Sequence, residues 1–136
     1  MSSNNLRINQ DRFRTNFESL AQIGTNANGG VHRPTFSPAH LQARKWFRER
    51  AIAAKLDFDI DNAGNHSAIL QCGPSNAPTL LLGSHLDSVP NGGIFDGALG
   101  VLAAFEVLQT LQGVGIHLPF HLEVIDFTNE EGTLVG

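Results

Sequence analysis

The run Thr79-Leu80-Leu81-Leu82-Gly83-Ser84-His85-Leu86 is apolar on both faces of an extended chain, the pattern of a strand covered from both sides. Downstream, residues 97–112 carry Glu106, Gln109, Thr110 and Gln112 as their only polar side chains, crowded on one side, which predicts a buried helix lying on a sheet. Residues 120–128 are again rich in Leu, Val, Ile and Phe and are entered from Gly113-Val114-Gly115, so a second interior strand is expected there. Strand, helix and strand make a βαβ unit with its strands parallel. Ligands of such sheets sit beyond the carboxyl ends of the strands.

Working outward, Ile8, Phe13, Phe17 and Leu20 recur at helical spacing and Gly24 suits a left-handed cap, which predicts a helix near 10–23. Loop composition follows to Ser37-Pro38, an N-cap with proline in the first turn of a helix near 38–55. Its apolar set of Leu41, Trp46, Phe47, Ala51 and Ile52 leaves Arg44, Lys45, Arg48 and Arg50 toward water. Leu56, Phe58 and Ile60 alternate with Asp57, Asp59 and Asp61, a half-exposed strand. A calcium loop starting at Asp57 would need Gly at 62 and Glu at 68, where the chain has Asn62 and Ala68. After an Ala63-Gly64-Asn65 turn, His66 to Cys72 reads as another short strand.

The 136 residues, 41% hydrophobic and 16% charged, suit one core and one domain. A net charge of −4 argues against a nucleic-acid or anionic-membrane partner. The single Cys72 forbids an internal disulfide, and the polar start and lack of a long apolar run leave no signal peptide or membrane span, so a cytoplasmic setting is expected.

Chemistry gathers at the ends of the two strands. His85 and Asp87 follow the first, Asp96 opens the helix, and Glu130 and Glu131 follow the second. Left bare, four carboxylates converging on one sheet edge would repel one another, which a divalent cation relieves. His85 and Asp87 share one side of an extended backbone, so Asp87 could orient the imidazole while its other nitrogen binds metal. Adjacent Glu130 and Glu131 diverge, suiting one to the metal and one to a water. Read singly, Asp96 would be a helix N-cap, worth about 1 kcal/mol. No Lys-Ser/Thr phosphate loop, H-E-x-x-H or G-x-S-x-G is present, so neither phosphate cradling nor nucleophilic serine chemistry has support.

Three motifs, His85-Leu86-Asp87, Asp96-Gly97-Ala98-Leu99-Gly100 and Asn129-Glu130-Glu131-Gly132, together with Gly29-Gly30-Val31-His32-Arg33, resemble the M20-type metallohydrolases. More narrowly they are similar to the branch of N-carbamoyl-L-amino-acid hydrolases, allantoate amidohydrolases and β-ureidopropionases. The resemblance implies a three-layer α/β/α catalytic domain with a mixed, largely parallel sheet of the zinc-exopeptidase type. Residues 1–136 would be its N-terminal part, truncated before the remainder of that domain and before the lid and dimerisation domain. It implies His85 on one of two divalent metals (Zn, Mn, Co or Ni), Asp96 bridging both and Glu131 on the second. Asp87 would steady His85, Glu130 would be the general base, and the Asp96–Gly97 peptide would be cis. The implied reaction is hydrolysis of a linear C–N amide of an N-carbamoyl amino acid or allantoate by a homodimer, the isolated chain being inactive. Alternatives are an M20-type aminopeptidase or dipeptidase, or an inactive binding module.

Overall fold

In the computed structural model, which describes residues 6–134, the chain runs α1 (Gln10–Ala21), α2 (Pro38–Ala53), β1 (Asp57–Ile60), β2 (His66–Leu70), β3 (Thr79–Ser84), α3 (Ala98–Gly113) and β4 (His121–Asp126). Among these residues no helix is long and apolar enough to cross a membrane. The caps follow from the sequence. The Asn9 side chain accepts from Arg12 N at 2.9 Å to start α1, and Ser37 Oγ accepts from His40 N at 3.2 Å to start α2 just before Pro38.

The four strands form one mixed sheet in the order β1-β2-β4-β3. The expected βαβ unit is present, with β3 and β4 parallel from Thr79 opposite His121 to Ser84 opposite Asp126. Both pairings of β2 are antiparallel, so within the described residues the sheet is mixed but not mainly parallel. Asp57 and Asp59 lie on the solvated β1, and Asp61 Oδ1 accepts from Ala63 N and Asn65 N at 2.9 Å each in the turn after it.

The core uses one face of the sheet. Ala68, Leu70, Leu122 and Val124 pack with Phe47 of α2 and Leu102 and Phe105 of α3, and Phe47 meets Phe105 edge-on at 5.7 Å. Both helices therefore cover the same side, and α1 lies on α3 through a two-pronged Arg12–Glu106 pair at 2.7 and 2.8 Å. That pair explains how Glu106, predicted on a polar side, comes to be buried. β3 departs from expectation, because it is the sheet edge and Leu80 and Leu81 are 48% and 46% exposed. Its double apolar character records faces to be covered, and among the described residues only α3 covers one.

A second correction concerns α2. Leu41 and Ile52 are exposed, while Arg44 is buried, one helical turn before Phe47 and after His40 on the inward stripe. Arg44 Nε reaches Asp126 Oδ2 at 2.8 Å, and its remaining nitrogens reach Gly64 O and Thr128 Oγ1.

Candidate metal centre

The parallel pairing ends with Ser84 opposite Asp126, so the segments leaving β3 and β4 emerge side by side. Asp126 holds the first of them by accepting from Leu86 N at 2.7 Å, and Phe127 N donates back to Ser84 O at 2.9 Å. His85, Leu86, Asp87 and Ser88 are all buried. The second segment turns at Asn129, in the left-handed region at φ 58°, and presents Glu130 and Glu131 across from them.

His85, Asp96 and Glu131 each bring one ligand-type atom within 4.8 Å of the others. The His85 ring lies between two acids. Its Nδ1 is 3.0 Å from Asp87 O and 3.4 Å from Asp87 Oδ1, and its Nε2 is 3.3 Å from Oε2 of the half-exposed Glu130. Asp87 and this surrounding charge push the imidazole up to about 9, so the position draws positive charge. Burial opposes ionisation of Asp87, yet hydrogen bonds from His85, Thr35 and Glu131 hold its carboxyl down at about 2. Glu131 is raised by burial and by the neighbouring Asp96 carboxyl, and its Oε1 is buried without a partner. An acidic atom shielded from water beside a second carboxyl and an imidazole is a site short of a cation, and one nitrogen with carboxylate oxygens is a donor set that divalent metals accept.

Asp96 does not cap α3. The N-cap is Gly97, with φ 65°, and α3 has no side-chain cap, so that carboxylate is left toward His85 and Glu131. The peptide bond before Gly97 is trans, as are all those described, which corrects the cis geometry implied by the motifs. Gly97 itself is fixed by closeness, since a Cβ there would stand 2.4 Å from His85 O and 2.5 Å from its Cε1. Gly97→Ala is expected to displace the His85 ring and weaken divalent-cation binding at least about tenfold, read by titration against a chromophoric chelator. Unchanged affinity would show that the ring is free to move.

Sequence reasoning missed the supports of this centre. Arg33, 1% exposed, donates from Nε to Leu86 O at 3.0 Å and from Nη1 to Leu20 O and Ile23 O, and burial lowers its pKa to about 10. Asp126 and Arg44 form the buried pair beneath the same loop. The signals available were Arg44's place on the His40–Phe47 stripe and Arg33's place at the end of the Gly29-Gly30-Val31-His32-Arg33 motif, neither of which says what the side chain holds; Thr35 has no local signature. A groove of about 440 Å³ between Phe13 and Phe17 of α1 and Ile94, Phe95 and Leu99 is lined by none of the three clustered residues.

A mixed α/β sheet that brings an imidazole and carboxylates together at the ends of its parallel strands is an arrangement able to hold a divalent cation, and the chain's relatives are hydrolases by name. The model of peptidase family M28 matches residues 43–136, and the chain belongs to that family, whereas its motifs resemble the M20 type. N-carbamoyl-L-amino acid amidohydrolase of Geobacillus stearothermophilus is 38% identical over 92% of this chain and 31% of its own length. Allantoate deiminase 2 of Glycine max is 36% identical over 83% of this chain and 24% of its own. The crystal structure of a hydantoinase/carbamoylase family amidase from Burkholderia ambifaria superposes with a TM-score of 0.89 at 37% identity, over 93% of this chain and 31% of that one. The chain thus spans less than a third of the length of these relatives.

Proposed function

We propose that these residues form part of the catalytic domain of a metal-dependent amidohydrolase that cleaves the linear C–N bond of an N-carbamoyl-L-amino acid or of allantoate. The observation that carries this reading is the convergence of His85, Asp96 and Glu131 within 4.8 Å, with Glu130 against the far side of the imidazole. His85, Asp96 and Glu131 would hold the metal, Asp96 bridging if two cations bind, and Zn, Mn, Co or Ni all suit such a donor set. A cation held there would supply polarisation of the scissile carbonyl and a water acidic enough to attack near neutral pH.

The chain's own groups do the rest. Asp87, buried and ionised, aims the ring of His85. Glu130, with a half-exposed carboxylate, takes a proton from the attacking water and hands it to the departing nitrogen. Addition of water and loss of one ureido C–N bond of an N-carbamoyl amino acid leaves a carbamic acid, which breaks its remaining C–N bond spontaneously, so the products are the free amino acid, carbon dioxide and ammonia. Three protein ligands are fewer than a closed two-metal site holds, so negligible turnover is expected from the 136 residues alone.

The match to a peptidase family supports a second reading, an exopeptidase. A chimera separates the two: these residues replace the matching segment of the Geobacillus stearothermophilus amidohydrolase. Metal-dependent ammonia release from N-carbamoyl amino acids is expected, with Glu130→Gln lowering it about a hundredfold or more. Cleavage of dipeptides in its place would put the exopeptidase first.

A further inference from the structure

Thr35 belongs to none of the motifs, yet its side chain is the nearest hydrogen-bonding contact that the Asp87 carboxylate makes. The residue is 3% exposed, and its Oγ1 lies 2.7 Å from Asp87 Oδ2. An ionised carboxylate only accepts, so the single hydroxyl proton of Thr35 points at Asp87. The direction propagates backward. Thr133 Oγ1 accepts from Thr35 N at 3.3 Å and turns its own proton toward Thr35 Oγ1 at 3.4 Å.

This chain of donors reaches both segments that carry the clustered residues. With Oδ2 tied to Thr35 and to Glu131 N at 3.3 Å, the other oxygen, Oδ1, is presented to His85 Nδ1. Oδ1 is buried without a hydrogen-bond partner of its own, the closer acceptor at His85 Nδ1 being the Asp87 carbonyl at 3.0 Å, so Thr35 and the Glu131 N–H are what set the plane of the carboxylate. Glu131 is held from the same place, by Asp87 at its own N–H and by Thr133 two residues later. Thr35 is itself anchored, because Arg33 and Ser88 exchange two hydrogen bonds, from Arg33 N to Ser88 Oγ at 2.9 Å and from Ser88 N to Arg33 O at 3.0 Å.

We propose that Thr35 is a positioning residue of the metal centre, whose hydroxyl fixes the Asp87 carboxylate and through it both the aim of His85 and the seat of Glu131. The assignment rests on the metal reading above and adds to it a residue that touches neither cation nor substrate. Valine and serine divide the threonine side chain into its parts: Thr35→Val keeps the volume and removes the donor, and Thr35→Ser keeps the donor and removes a methyl group.

The test is titration of the purified chain with Co²⁺ against a chromophoric chelator, for wild type, T35V, T35S and H85A, with folding followed by circular dichroism. T35V is expected to weaken Co²⁺ binding about ten- to hundredfold, as loss of an outer partner does, with T35S within about threefold of wild type. T35V binding as wild type does, or T35S as weak as T35V, overturns the assignment, the second outcome because packing would then be what matters. If T35V does not fold, Thr133→Ala decides in its place: a several-fold loss supports the donor chain and no loss overturns it. Failure of wild type to bind Co²⁺, or binding by H85A equal to wild type, overturns the metal reading and this assignment with it.

Discussion

Asp96→Ala is expected to abolish divalent-cation binding at the candidate centre, whereas Glu130→Gln is expected to retain it. Asp96 is exposed, caps no helix and lies within 4.8 Å of ligand-type atoms of His85 and Glu131. Its removal therefore leaves packing untouched, with stability within about 0.5 kcal/mol of wild type. Loss of a ligand should exceed the ~10–100-fold cost of losing an outer partner, so affinity should fall about a hundredfold or more. Glu130 is not one of the three clustered residues; it lies 3.3 Å from His85 Nε2 with half its side chain in water, and its amide analogue leaves those three intact. Metal content after gel filtration, for the two variants and wild type, checks the division of roles. Equal content in all three would reject it.

The largest loss of stability is expected from Arg44→Met. Arg44 and Asp126 are 3% and 0% exposed, and removing one member of such a pair strands a buried charge at a cost of roughly 3–5 kcal/mol. The effect has a pH signature. Burial pushes the Asp126 carboxyl up to about 6 even with Arg44 and Leu86 N bound to it, so this group takes a proton more readily folded than unfolded. Stability from it is present at low pH and is lost as pH rises through about 6. Without Arg44 that pKa rises further, so the variant should be hurt most near pH 8 and progressively less toward pH 5, where Asp126 is neutral. Urea midpoints at the two pH values measure this. A destabilisation that does not shrink on acidification would place its cause in packing of the arginine stem.

The βαβ unit was legible because a strand apolar on both faces and a long apolar helix leave little else for residues 79–128 to be, and strand ends dictate where His85 and Glu131 emerge. What covers a strand is not written in its own residues, which is why Leu80 and Leu81 were expected inside and lie at an edge. Charge misled at Arg44, because a cation inside a helix is buried only when an acid arrives from elsewhere, here 82 residues later in sequence. Asp96 looked like a cap because aspartate before a helix commonly is one. Thr35 could not be read at all, since its partner lies 52 residues away in a loop without period, and the motif that ends in Arg33 did not say that its side chain would hold Leu86 O, 53 residues on.

The contact between Thr35 and Thr133 joins positions 98 apart, the loop before α2 with the last described turn. Helices and the β1–β2 hairpin can form from neighbours, but His85, Asp96 and Glu131 come together only when β3 and β4 have paired across the intervening helix, and the tie between Thr35 and Thr133 spans still more of the chain. Under the proposed metal reading, cation uptake would gauge completed folding, and because the unfolded chain offers no comparable set, binding free energy would be added to the native state alone.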